Sequence, residues 1–297
     1  MTGIVKMRDV TFDTSLYENF RSGTVLDNLL CSYKGLPKGV NYMIIGDPGV
    51  GKTTIILDLL ASIARKEPST RILFISAEMS EIDLAIYVQR YPKFGDLNIM
   101  FVELDVESET SHLQELEDVL RQGWDIVAID SFHELQGIVQ EEEHISMRQA
   151  ETRLLGLIKH HNKGGNDLGL NTTFLTIQQV TKRGSFMGTN RLKHMITAMM
   201  ELRLDNPKNV YSDRYVVFSK HRRGDVGVKV YYNLSSTGDV SYDEQRYWQD
   251  LELRAMQNNV STQLRGFANQ FDQLFNHEME NNAYEHNRIQ QNQAAGA

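Results

Sequence analysis

Between the apolar run Asn41-Tyr42-Met43-Ile44-Ile45 and an amphipathic stretch near Thr53 stands Gly46-Asp47-Pro48-Gly49-Val50-Gly51-Lys52-Thr53. Nothing else in the chain restricts its architecture so strongly. Closely spaced glycines let successive backbone N–H groups turn toward one anion, and a following helix presents its positive end to the same point. The arrangement works only where a strand delivers the loop and a helix leaves it, and the flanking patterns supply both. The loop with Thr54, Gly46–Thr54, is therefore read as a cofactor-binding run for ATP. Lys52 reaches the β- and γ-phosphates, and the Thr53 hydroxyl ligates Mg²⁺.

Such a loop needs a sheet around it, and the rest of the chain provides one. Candidate strands are Tyr42–Ile45, Arg71–Ser76, Ile99–Val102, Asp125–Asp130, Thr172–Ile177 and Met199–Leu204, with helical patterns near Thr53–Arg65, Glu81–Arg90, Ser111–Arg121 and Ser146–His161. The strands are rich in Ile, Val and Leu without clean alternation, as in strands buried on both faces. Strand–helix alternation predicts an α/β fold: a mainly parallel, twisted sheet with helices on both faces. After Leu204 the stretches RYVVFSK and GVKVYYNL predict a C-terminal β-hairpin. From Asp243 the chain becomes rich in Gln and Asn, yet Val260, Leu264, Phe267, Phe271 and Leu274 recur at helical spacing. This tail reads as a helical extension, docked either on a neighbour or on its own domain. The expected division is an arm (1–20), a core (21–242) and the extension (243–297).

Composition narrows the class. Among 297 residues, 41% are hydrophobic and 24% charged, ordinary for a globular protein. Cys31 is the only cysteine. That excludes a disulfide framework and a multi-cysteine zinc site, and suits a reducing cytoplasm, of a bacterium or of a host if phage-encoded. The N-terminus has no apolar leader, and no stretch approaches membrane-spanning length, so no membrane partner is expected. A net charge of −8 argues against a uniformly basic nucleic-acid binder, while leaving room for a few basic loops.

Two acidic positions extend the phosphate site. Asp130 closes the apolar run Ile126-Val127-Ala128-Ile129 and suits an acid that holds Mg²⁺ through water. Glu78 follows the strand ending at Ser76, where a carboxylate can orient or deprotonate an attacking water. Glu81 competes for that role, but it also suits the first turn of a helix on dipole grounds alone. The acidic run Glu141-Glu142-Glu143 reads as a solvated helix lead-in with first-turn acids. His133 and His144 read as structural or surface histidines, and His160-His161 as the end of a helix.

Together these pieces resemble the RecA-like ATPases in which the catalytic glutamate follows the second strand. Within that branch they resemble the bacterial RadA/Sms recombination proteins, with DnaB-type helicases next. Ser22-Gly23-Thr24-Val25-Leu26-Asp27-Asn28-Leu29-Leu30 and Gly35-Leu36-Pro37-Lys38-Gly39 are similar to that family's lead-in, and Gln179-Val180-Thr181-Lys182-Arg183-Gly184 to its sensor and second DNA loop. The resemblance covers about residues 21–242. It implies Gln179 as the sensor of the γ-phosphate, with Gln178 as the fallback. It implies a channel loop whose Lys182, Arg183, Phe186 and Arg191 meet single-stranded or branched DNA, cations on the backbone and an aromatic on the bases. With one cysteine and a short tail, the family's zinc module and Lon-like domain are not expected in these 297 residues.

The resemblance also bears on Lys220-His221-Arg222-Arg223-Gly224, which stands where the family carries Lys-Asn-Arg-Phe-Gly. Lys220, Arg222 and Gly224 keep the pattern, and on a strand both cations share a face while His221 points away. They are expected to act on the nucleotide of a neighbouring subunit in a homo-oligomeric ring of six. Three functions are implied: a recombination translocase or helicase with a possible recombinase or replication partner, a DnaB-type helicase, or a KaiC-like regulatory scaffold.

Overall fold

The computed structural model describes residues 6–9, 18–102, 111–178, 190–235, 239–257 and 260, with only the backbone at 190–191. The chain divides into one compact unit, Met1–Tyr247, and a second, Trp248–Ala297. Of the second unit, 248–257 and 260 are described and are helical; Val260 is exposed, and Leu264, Phe267, Phe271 and Leu274 lie outside the described residues.

Among the described residues nine strands form one sheet in the first unit: β1 (Asn41–Gly46), β2 (Ile72–Ser76), β3 (Asn98–Phe101), β4 (Ile126–Asp130), β5 (Thr173–Ile177), β6 (Ala198–Leu204), β7 (Arg214–His221), β8 (Lys229–Leu234) and β9 (Val240–Tyr242). Their order is β3-β2-β4-β5-β1-β6-β7-β8-β9. Pairing is parallel from β3 to β6 and antiparallel from β6 to β9. Every residue of β2, β4 and β5 is buried, as suits strands of mainly apolar sequence without alternation when both faces are covered.

The described helices beside the sheet include α1 (Asp27–Leu30), α2 (Lys52–Lys66), α3 (Glu81–Arg90), α4 (His112–Arg121), α5 (Phe132–Glu142), α6 (Met147–His161) and α7 (Asn190–Met195). On one sheet face Met43, Leu73, Val127 and Phe174 share a core with Leu116 of α4, Leu135 of α5 and Leu154 of α6. On the other, Phe74 meets Leu57 of α2 and Leu84 and Val88 of α3 around a small cavity. Four helices begin on a serine whose side chain accepts a backbone N–H of the first turn: Ser80, Ser111, Ser131 and Ser146. Each such cap is worth about 1 kcal/mol. Ser146 and Gln149 complete a reciprocal capping box.

One expectation is corrected. Glu141-Glu142-Glu143 do not lead into a helix; Glu141 and Glu142 end α5, and Glu143 caps its C-terminus. Ser131 starts that helix directly after β4, so the stretch expected as a lead-in lies in its last turn. Carboxylates there oppose the helix dipole. Specific partners offset this: Glu142 accepts from the backbone N–H and ring Nδ1 of His112, and Glu143 pairs with Arg153 at 2.7 Å.

Candidate active site

The parallel register brings four strand ends to one edge. Ser76 stands beside Asp130, Ile129 beside Thr176, and Ile44 beside Ile177. Ligands of open parallel sheets bind outside such carboxyl ends. A cleft of about 530 Å³ opens there, lined by the Gly46–Thr54 loop, Glu78 and Asp130, with Met79, Tyr87, Tyr91 and Leu234 also in its walls.

The loop's shape depends on two glycines for different reasons. Gly51, the N-cap of α2, has φ 96°, and a Cβ there would lie 2.5 Å from Leu234 Cδ1. Gly46 passes so close to β6 that a Cβ would sit 2.4 Å from the Leu202 carbonyl oxygen. Neighbouring strands brace the loop. The Tyr232 hydroxyl donates to the Val50 carbonyl at 2.7 Å, Val50 itself is buried, and Arg203 stands 3.6 Å from Asp47 while paired with Glu201.

At the loop's end the ionisable groups meet. The Thr53 hydroxyl donates to Asp130, which is 3% exposed. Burial pushes the Asp130 carboxyl up to about 6, with Glu78 adding to the rise and Thr53 and Lys52 opposing it. Lys52 folds back onto the carbonyls of Gly46 and Asp47 at 3.0 and 3.2 Å. Burial lowers its ammonium pKa, against the pull of Asp130, Glu78 and Asp47. Glu78 is solvent-exposed at the cleft. Glu81 occupies the first turn of α3, is exposed, and does not contribute to the lining.

The hydroxyl and carboxylate oxygens of Thr53 and Asp130 are hard donors of the kind Mg²⁺ prefers beside phosphate and water. Among the described residues no cluster of three or more His, Cys, Asp or Glu could bind a metal unaided. A cation shared with a nucleotide fits that donor set.

Sequence reasoning missed the far wall. Tyr87 shares a 2.6 Å hydrogen bond with Thr54, and burial raises its phenol to about 12. Its ring packs 4.5 Å from Tyr91 and 6.1 Å from Phe94. The signal available was Tyr87 and Tyr91 at i, i+4 spacing behind Glu78. Tyr232 and Leu234 gave none, since only the sheet's register brings them to the loop.

The remaining predicted residues lie elsewhere. Gln178 is buried one residue past β5, its N–H bonded to the Ile44 carbonyl at 2.8 Å. Gln179, Lys182, Arg183 and Phe186 lie outside the described residues, as does the side chain of Arg191. Lys220 and His221 pair with Met199 and Ala198 at the start of β6, whereas Leu202, further along β6, pairs with Gly46. The Lys220–Arg222 segment therefore sits at the opposite edge of the sheet from the chain's own cleft. Both cations turn to one side, toward α7, and His221 turns to the other, toward α1.

Comparison with known proteins agrees with this geometry. Residues 27–164 match a family model described as an AAA domain. The DNA repair protein RadA of Aquifex aeolicus is 26% identical over 219 residues, covering 72% of this chain and 44% of that protein. RadA of Pseudomonas aeruginosa is 26% identical over 177 residues, covering 60% and 35% respectively. The chain spans less than half the length of these curated relatives. A solved KaiC-like protein from Pyrococcus horikoshii matches with a TM-score of 0.55 at 21% identity, over 76% of this chain and 98% of that one. That likeness shows a shared fold.

Proposed function

From the premise of a RecA-like P-loop core similar to the RadA repair proteins, we propose that this chain is a Mg²⁺-dependent ATP hydrolase. It acts in a head-to-tail ring of six subunits and translocates on single-stranded or branched DNA during recombination or repair. One observation carries the reading. Nucleotide-binding groups occupy one edge of the sheet, and a cation pair occupies the other, out of reach of its own cleft.

Each residue then has a task. Lys52 exchanges the Gly46 and Asp47 carbonyls for phosphate oxygens, and Thr53 with Asp130 would hold the Mg²⁺ that accompanies the nucleotide. Magnesium supplies charge neutralisation there when bound. Glu78 orients the attacking water and accepts its proton. Lys220 and Arg222 of a neighbouring subunit stabilise the charge on the transferred phosphoryl, an effect of about a thousandfold or more for such cations. Gln179 senses the γ-phosphate and relays its loss to the loop carrying Lys182, Arg183, Phe186 and Arg191. Ile82 and Ile86, one turn apart on α3 beside the cleft, are 74% and 61% exposed and support a neighbouring copy packing there.

A second reading is favoured by the net charge of −8: a regulatory ATPase scaffold that uses nucleotide for ring formation and does not act on DNA. Hydrolysis measured at low salt with and without single-stranded DNA separates the two. Stimulation by DNA supports the translocase. An unchanged rate, with ATP-dependent assembly still seen by mass measurement, would leave the scaffold.

A further inference from the structure

His221 is the position at which the chain departs from the pattern around its cation pair. Its ring lies 5.4 Å from Tyr42, edge-on, and 4.5 Å from Phe218. Both ring nitrogens are engaged. Nε2 stands 3.1 and 3.2 Å from the carbonyls of Leu29 and Leu30, and Nδ1 accepts the backbone N–H of Arg223 at 3.2 Å. That pattern requires a neutral imidazole carrying its proton on Nε2. Burial lowers the pKa of the ring in keeping with this.

The surroundings make the ring a fixed point. Leu29 and Leu30 end α1, and Nε2–H reaches both of these helix-end carbonyls, that of Leu30 also accepting the Tyr42 hydroxyl. The Ser32 N–H donates to the Arg223 carbonyl at 2.8 Å, and the Arg222 N–H to the Thr197 carbonyl at 3.1 Å. Gly224 leaves room for the ring, since a Cβ there would lie 2.7 Å from His221 Nε2. On the opposite side, Lys220 and Arg222 donate to the carbonyls of Lys193 and His194 in the last turn of α7, Arg222 at 2.9 Å. A helix C-terminus is where cations are favoured. The turn is thus hung from α1 by one side chain and laid on α7 by two.

We infer that His221 is a positioning residue that aims the Lys220–Arg222 pair at the phosphates of a neighbouring subunit. At the end of β7 the ring turns to the α1 side while Lys220 and, one residue past the strand, Arg222 turn to the other, so fixing the ring sets their direction. This rests on the trans-acting reading proposed above. His221 touches no nucleotide; it acts through Arg222 and Lys220.

Three variants of the full chain test it. His221→Phe keeps a ring against Tyr42 and Phe218 but loses both hydrogen bonds; kcat should fall about tenfold or more, with KM and ATP binding within about twofold. His221→Gln, whose amide can still donate to Leu29 and Leu30, should recover most of that loss. Mixing His221→Phe with an excess of Lys52→Ala subunits should restore hydrolysis, because the latter lend correctly aimed cations to the former's intact clefts. A misfolded His221→Phe chain would not respond. Wild-type turnover in His221→Phe, or a loss that mixing cannot restore, overturns the inference. Arg222→Ala guards the premise: if it hydrolyses ATP at the wild-type rate, the trans-acting reading fails. If it is inactive, is rescued by mixing, and His221→Phe is normal, only the role of His221 falls.

Discussion

Asp130→Asn should make the nucleotide-free protein more stable while abolishing hydrolysis. The Asp130 carboxylate is buried at the end of β4, and burial is the largest cause of its shift from 3.8 to about 6. A difference of roughly two units corresponds to about 3 kcal/mol of folding stability lost when the group is ionised. The sign follows from proton binding. Between about pH 4 and 6 the folded chain holds a proton that the unfolded chain has released, so stability from this group is complete at low pH and lost as pH rises through 6. Asparagine keeps an acceptor for the Thr53 hydroxyl and does not titrate. For a unit of this size, about 3 kcal/mol corresponds to a rise of roughly 6–12 °C in Tm. Thermal unfolding without nucleotide and with chelator, from pH 4.5 to 8, measures it. The gap between variant and wild type should grow from about a third of its full value at pH 4.5 to that full value above pH 7. An equal gap at both ends, or a less stable variant at pH 8, would refute the reasoning.

Three further outcomes follow from the geometry. Glu78→Gln should lower kcat by about 10²–10⁴ while fluorescent-nucleotide binding persists, whereas Glu81→Gln should leave turnover near wild type. Gly51→Ala forces a side chain into a left-handed backbone position and against Leu234; nucleotide binding should be lost in a titration of the folded variant. Tyr232→Phe leaves the Val50 carbonyl without its hydroxyl donor, so denaturant unfolding should show a loss of about 1–3 kcal/mol, with weaker ATP binding.

Much of this fold is legible in the sequence because its strands are short apolar runs ended by polar residues. Tyr42–Ile45, Asp125–Asp130 and Thr172–Ile177 each lie within a residue of the observed ends of β1, β4 and β5. Helix α5 escapes because it starts on Ser131 with no loop after β4, and its acidic end imitates a helix beginning. The three-residue β9 is too short for any periodicity to register. In the site, the Gly46–Thr54 loop is readable since its shape comes from local backbone preferences. The Tyr232 and Arg203 contacts are not, because tertiary register alone brings them there; Tyr232 is 182 residues from Val50. His221 could be seen to point away from the cations, but its anchor on α1 lay 191 and 192 residues upstream.

The β7–β8 ladder has a mechanical consequence. Its Arg214–Tyr232 rung lies at the end that braces the phosphate loop, and β7 then runs about 23 Å to His221, beside the outward cations. The ladder thus joins the strand end that braces the phosphate loop to the cation pair at the opposite edge, which on the proposed reading would serve the next subunit. In a closed assembly, each site's tightening would be the mechanical input to its neighbour, and the order of firing would be carried by the covalent chain.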